Sequence, residues 1–233
     1  MRVTVVGCSG SVPSPDSACS CYLVEEDGYR LLLDLGIGAS GPLQRYAAPT
    51  EIDTVIVSHA HADHWYDLTQ IGYHLSRVEH GPVRVIGPSD LPEVVWSNPD
   101  VFTASVAEPG ETKLGPLTVR LSRVEHGSLE CWATRVGDAL CYTADTRACP
   151  ALDELAYGCR VLLAEAAASD TDDAQDRHLT AGDAGRLAAR SGSELLILTH
   201  LRTWHDHAAL LAEATRHAGC PVVLAQPGLR LEL

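Results

Sequence analysis

Two hydrophobic rhythms run along this chain. Thr54-Val55-Ile56-Val57 and Leu195-Leu196-Ile197-Leu198-Thr199 are unbroken apolar runs and read as buried strands. Leu117 to Val124 instead alternates Leu117, Val119 and Leu121 with Thr118, Arg120 and Ser122, the pattern of a half-buried strand. Shorter strands are predicted at Arg2 to Val6, Val83 to Ile86, Arg160 to Ala164, Val222 to Leu224 and Leu229 to Leu231. Two hairpins follow from turn chemistry. One joins Ser20 to Glu25 with Tyr29 to Leu33 across Glu26-Asp27-Gly28; the other joins Cys131 to Val136 with Ala139 to Thr143 over Gly137-Asp138.

Between the strands the rhythm is helical. Trp65, Leu68, Ile71, Tyr73 and Leu75 mark a helix facing a core. Ala151 to Tyr157 is a helix closed by Gly158, and Thr180 with Asp183 forms a capping-box-like start to a helix running to about Arg190. A last helix spans about Ala208 to His217, and shorter ones are expected at Gly41 to Ala48 and Leu91 to Trp96. Gly7 to Pro13 reads as a glycine-rich loop that lacks the ending of a phosphate loop. Residues 97–116 read as a loop or edge hairpin, and the acidic, small-residue stretch Ala166 to Arg177 as a mobile loop. The two strand-rich halves read as one interleaved α/β domain over residues 1–233.

Composition narrows the function. Acidic residues outnumber basic ones 31 to 17, a net charge of −14, which argues against a nucleic-acid binder that must neutralise phosphates. A single Phe and a single Met leave the core to Leu, Val and Ala. The eight cysteines show no paired zinc-ribbon spacing, Cys19-x-Cys21 being the only close pair. The chain opens directly on a strand-like run, so thiols in a reducing, cytoplasmic setting are expected, and no apolar run is long enough to cross a bilayer.

The candidate chemistry is concentrated at His59-Ala60-His61-Ala62-Asp63-His64, between a buried strand and a helix. A lone loop histidine is ordinarily solvated. Four ligand-type residues within six positions, spaced by alanine, instead suit a divalent metal. His59, His126, Asp145 and His200 each lie just past the end of a separate predicted strand, where open sheets place their sites. Arg77-Val78-Glu79-His80-Gly81 nearly repeats Arg123-Val124-Glu125-His126-Gly127. His126 is the expected ligand because it ends a clear strand, whereas His80 ends a helix and suits a dipole partner. Asp34 is either a turn cap or a group that orients a metal-bound histidine. His178 is either a solvated helix-start residue or an acid that titrates near neutral pH. Glu165 and Trp204-His205-Asp206-His207 are left without a role.

His-x-His-x-Asp-His after an apolar strand resembles the signature of the metallo-β-lactamase superfamily. His178-Leu179-Thr180-Ala181 and Leu198-Thr199-His200 resemble its ribonuclease Z branch. Gly7-Cys8-Ser9-Gly10 and Leu31-Leu32-Leu33-Asp34-Leu35-Gly36 are similar to the short, armless bacterial type, some of which hydrolyse cyclic nucleotides. The resemblance implies an α/β fold, a four-layer αβ/βα sandwich, holding two divalent ions: zinc first, with manganese or iron also accepted. His59, His61 and His126 would hold one ion, Asp63, His64 and His200 the other, and Asp145 would bridge them. A hydroxide held by both ions would attack phosphorus in line. Asp63 would orient it and His178 would protonate the leaving oxygen. Ribonuclease Z proper inserts a basic arm for transfer RNA between the positions matching His126 and Asp145, and here a tight hairpin stands there. The expected substrate is therefore a small phosphodiester such as a cyclic nucleotide, with no transfer RNA or membrane partner, in a homodimer. The alternative is a thioester or lactone hydrolase on the same metals. An iron oxidoreductase and a non-catalytic binding module are further readings, the latter opposed by the full ligand set.

Overall fold

In the computed structural model, which describes residues 1–172 and 177–233, the elements sort into two units, Met1–Ala107 with Gln226–Leu233, and Glu108–Ala225. The first contains β1 (Arg2–Ser9), β2 (Ala18–Cys19), β3 (Cys21–Glu26), β4 (Tyr29–Leu33), α1 (Ser40–Leu43) and β5 (Thr54–Ile56). It continues through α2 (Ala62–Trp65), α3 (Leu68–Leu75), β6 (Val83–Gly87), α4 (Glu93–Trp96) and β7 (Phe102–Val106). The second contains β8 (Gly110–Leu114), β9 (Leu117–His126), β10 (Leu129–Val136), β11 (Leu140–Tyr142), α5 (Pro150–Ala156) and β12 (Val161–Glu165). It ends with α6 (Ala181–Ser191), β13 (Leu195–Thr199), α7 (His207–Ala218) and β14 (Val222–Leu224), after which β15 (Arg230–Glu232) pairs with β1.

Among the described residues the first sheet has the order β15-β1-β3-β4-β5-β6-β7, with β2 beside β1, and the second β14-β13-β12-β11-β10-β9-β8. The pairing explains the two sequence rhythms. β4 to β7 run parallel, as do β11 to β14. Parallel strands are covered on both faces and need continuous apolar runs. All of β5 and β12 is buried accordingly. β9 pairs antiparallel with β8 and β10, and it buries Leu117, Val119 and Leu121 while exposing Arg120. Both predicted hairpins form, β3 with β4 and β10 with β11. The first unit's core is aliphatic, built around residues such as Leu23, Leu32, Leu35, Leu43, Val55 and Val85.

Four predicted segments differ. The helix expected from Trp65 onward is two pieces, α2 and α3, broken at Tyr66-Asp67. There the Asp67 backbone N–H donates to the Leu35 carbonyl, and the Asp67 carboxylate accepts from the Ser40 N–H at 2.7 Å. Gly7 to Ser9 belongs to β1 and not to a loop. A side chain at Gly7 would overlap the Cys19 and Ala18 carbonyls, so glycine lets β2 close on β1. The helix expected at Gly41 to Ala48 shortens to α1. Residues 97–116 are not one hairpin: β7 pairs with β6 in the first sheet and β8 with β9 in the second. Of the predicted loop Ala166 to Arg177, residues 173–176 lie outside the described residues. Among the described residues no helix is long and apolar enough to cross a membrane.

Candidate metal centre

In the first unit, the turn after β5 supplies His59 and His61, and α2 supplies Asp63 and His64. Asp34, just past β4 and fully buried, holds two of them, His64 directly and His59 through Ser58. Its carboxylate accepts from the Ser58 backbone N–H at 2.7 Å, from Ser58 Oγ at 2.9 Å and from His64 Nδ1 at 2.7 Å. Ser58 Oγ, having donated to Asp34, accepts from His59 Nδ1 at 3.0 Å. Both rings therefore carry their proton on Nδ1, leaving the Nε2 lone pairs for a cation. His59 Nε2 lies 2.9 Å from His61 Nδ1. Two nitrogens bound at about 2.0–2.1 Å to one zinc lie roughly 3 Å apart, so this spacing suits a shared ion. Asp63 Oδ2 accepts from the Ser11 backbone N–H at 2.8 Å and stands 3.6 Å from His64 Nε2.

The second unit supplies His126, Asp145, His178 and His200. His126, the last residue of β9, is buried and donates through Nδ1 to the Arg177 carbonyl at 2.8 Å, which again leaves Nε2 for a metal. Asp145, past β11, lies with Oδ1 3.1 Å from His200 Nδ1. One ligand-type atom from each of Asp145, His178 and His200 falls within 4.8 Å of the others. Ser11, Asp34, Ala144 and His200 all have positive φ, at 65°, 61°, 53° and 53°. Non-glycine residues in that region cost on the order of 1–3 kcal/mol each and collect at functional sites. In each unit the imidazoles and carboxylates are donors of the kind that fit zinc and similar divalent cations.

Two residues join the second group that sequence reasoning had not assigned. Glu165, the fully buried last residue of β12, accepts from the Thr146 backbone N–H at 2.5 Å and from His178 Nδ1 at 2.8 Å. Burial, with the charge of Asp145, pushes its carboxyl up to about 7 against the opposing pull of His178 and the Thr146 N–H. Burial of the His178 ring lowers its basicity, but the charge and hydrogen bond of Glu165, with Asp145, outweigh this and raise it. Arg202 Nη2 donates to His178 Nε2 at 2.9 Å. Arginine only donates, so the neutral ring keeps its proton on Nδ1, facing Glu165. His178 thus sits among the ligand-type residues and is fixed from both sides. His80 points to its own loop, at the Gly81 carbonyl, and belongs to none of the ligand groups found among the described residues.

A family model described as a β-lactamase superfamily domain matches residues 29–201. The chain belongs to the metallo-β-lactamase superfamily. As a member of it, the chain is 36% identical over 248 positions to the uncharacterized protein Rv1339 of Mycobacterium tuberculosis, covering 95% of this chain and 88% of that protein. It is 29% identical to YhfI of Bacillus subtilis, a probable metallo-hydrolase, over 98% of both chains. The crystal structure of YhfI, a metallo-β-lactamase fold protein, superposes with a TM-score of 0.92 at 27% identity, over 99% of each chain. A ribonuclease Z of Myxococcus xanthus is 26% identical, over 100% of this chain and 98% of that protein. The superfamily's α/β fold and the resemblance to its ribonuclease Z branch both hold for this chain.

Proposed function

We propose that this protein is a hydrolase that uses two divalent metal ions, zinc in the first place, to cleave a small phosphodiester such as a cyclic nucleotide. The proposed ligands are His59, His61 and His126 for one ion and Asp63, His64 and His200 for the other, with Asp145 shared. When bound, such ions supply Lewis acidity toward a phosphoryl oxygen and a nucleophile at neutral pH. The observation that carries the reading is the pair of buried Glu165 and half-buried His178 beside Asp145, the two carboxylates lying 2.8 Å and 3.8 Å from His178 Nδ1. An imidazole held at Nδ1 by a carboxylate is oriented to release a proton from Nε2 to a leaving alkoxide, and the carboxylate stabilises the charged ring. Asp63, fixed by the Ser11 N–H, orients the attacking oxygen. The name of the related ribonuclease Z, an RNA-cleaving enzyme, supports a phosphodiester as the bond attacked.

The span between His126 and Asp145 bears on substrate size. β9 and β10 pair from His126 with Leu129 onward, and β11 follows directly, so no arm for a large RNA stands there. The net charge of −14 points the same way. The test is hydrolysis of 3′,5′-cyclic AMP by the metal-loaded protein and by His178→Ala. The variant is expected to keep its metal and lose about 10²–10⁴-fold in kcat. Unchanged turnover would remove the acid role, and a loaded wild type that cleaves no phosphodiester would refute the reading.

A further inference from the structure

Most of Trp204-His205-Asp206-His207 serves its own turn. Asp206 caps α7, accepting from the backbone N–H groups of Ala208 and Ala209 at 2.9 and 3.3 Å. The His207 ring and the His205 backbone N–H both donate to the Arg202 carbonyl, at 2.9 and 3.2 Å. His205 Nδ1 lies 3.7 Å from Asp172. The turn is tied down on three sides, but Trp204 takes no part in this: its indole is 60% exposed. It lies beside Arg202, whose Cζ is 5.7 Å from the ring centroid.

Arg202 also lacks a carboxylate partner among the described residues. Arg120, Arg135, Arg147, Arg160, Arg186 and Arg190 of the same unit each pair with a carboxylate. Arg123, Arg177, Arg202 and Arg216 have no carboxylate partner among the described residues, and of these Arg202 donates to His178 Nε2. A guanidinium with no acidic counter-ion, in a chain of net charge −14, is an anion receptor set against the ring proposed as proton donor. An exposed indole next to it offers a face on which an aromatic base stacks.

We infer that Arg202 and Trp204 form a nucleotide subsite, the guanidinium binding a phosphoryl oxygen of the substrate and the indole stacking on its base. The inference rests on the phosphodiesterase reading and narrows it to substrates that carry a nucleobase. On binding, Arg202 exchanges His178 Nε2 for the phosphoryl oxygen and leaves that nitrogen facing the substrate.

The experiment compares 3′,5′-cyclic AMP with glycerol 1,2-cyclic phosphate, a diester without a base, on wild type, Trp204→Ala, Trp204→Phe and Arg202→Gln. Trp204→Ala is expected to lower kcat/KM for cyclic AMP relative to the base-free diester about tenfold or more, chiefly through KM, with Trp204→Phe restoring most of it. Arg202→Gln is expected to weaken both substrates. A binding arm titrates adenosine 5′-monophosphate against tryptophan fluorescence, expected to be quenched in wild type and much less in Trp204→Phe. Unaltered discrimination in Trp204→Ala, or full quenching in Trp204→Phe, would overturn the subsite. If wild type cleaves neither diester yet shows quenching that depends on Trp204, the subsite stands and the phosphodiesterase reading falls.

Discussion

Asp34 shows how much of the centre depends on one residue that binds no metal in this account. It holds Ser58 and His64 directly and, through Ser58, His59. Removing a carboxylate that orients metal-bound histidines typically costs 10–100-fold in metal affinity. Asp34→Asn is the sharper substitution, because asparagine tolerates the positive φ there while the charge and one accepting oxygen are lost. A competition titration against a chelator is expected to show affinity lowered about 10- to 100-fold, and unchanged affinity would contradict the assignment. His126→Ala is expected to weaken metal binding as well, whereas His80→Ala leaves it at the wild-type value in the same titration. The residues proposed as ligands stand out in the sequence because they come as a short, alanine-spaced cluster or follow clear strands. Glu165 does not. A lone acid at the end of an apolar strand looks like a turn cap, and only its burial against His178 and Asp145 gives it a role.

At the scale of elements, Asp170 is anchored to two helices. Buried Glu213 on α7 accepts from the backbone N–H groups of Asp170 and Gly182, each at 2.9 Å. Asp170 in turn receives Arg186 Nη1 and Nη2 at 2.9 and 3.0 Å. A side chain at Gly182 would overlap the Asp170 carboxylate, which these bonds hold in place. Gly182→Ala is expected to destabilise the protein by about 1–3 kcal/mol in a denaturant titration; a neutral result would mean the Asp170 carboxylate yields freely. The Arg186 hydrogen bonds lower Asp170 to about 2. A carboxyl depressed on folding contributes stability that is present above its unfolded value, about 3.8 to 3.9, and is lost as pH falls toward 2. Arg186→Gln is therefore expected to flatten the acid limb of the stability–pH curve in that window, and an unaltered limb would contradict the pairing. Thr180 with Asp183 forms the capping box its sequence predicted. The break between α2 and α3 was not legible, because it depends on Leu35 and Ser40, distant in sequence.

For the whole molecule, the sequence rhythms carried the sheet class well. Unbroken runs became parallel strands and alternating ones antiparallel, a direct result of how many faces each strand buries. The segment 97–116 escaped because β7 and β8 are edge strands with mixed burial, and periodicity does not tell which sheet an edge strand joins. Family membership followed from the ligand cluster, while the number and identity of the ions belong to the proposal. Metal content is thus the most direct test of the central claim, measured by elemental mass spectrometry on the purified chain and on Asp145→Ala. Two divalent ions per wild-type chain are expected, with paired binding lost in the variant. A wild type that binds no divalent metal, or an Asp145→Ala chain that still holds two ions, would contradict that claim.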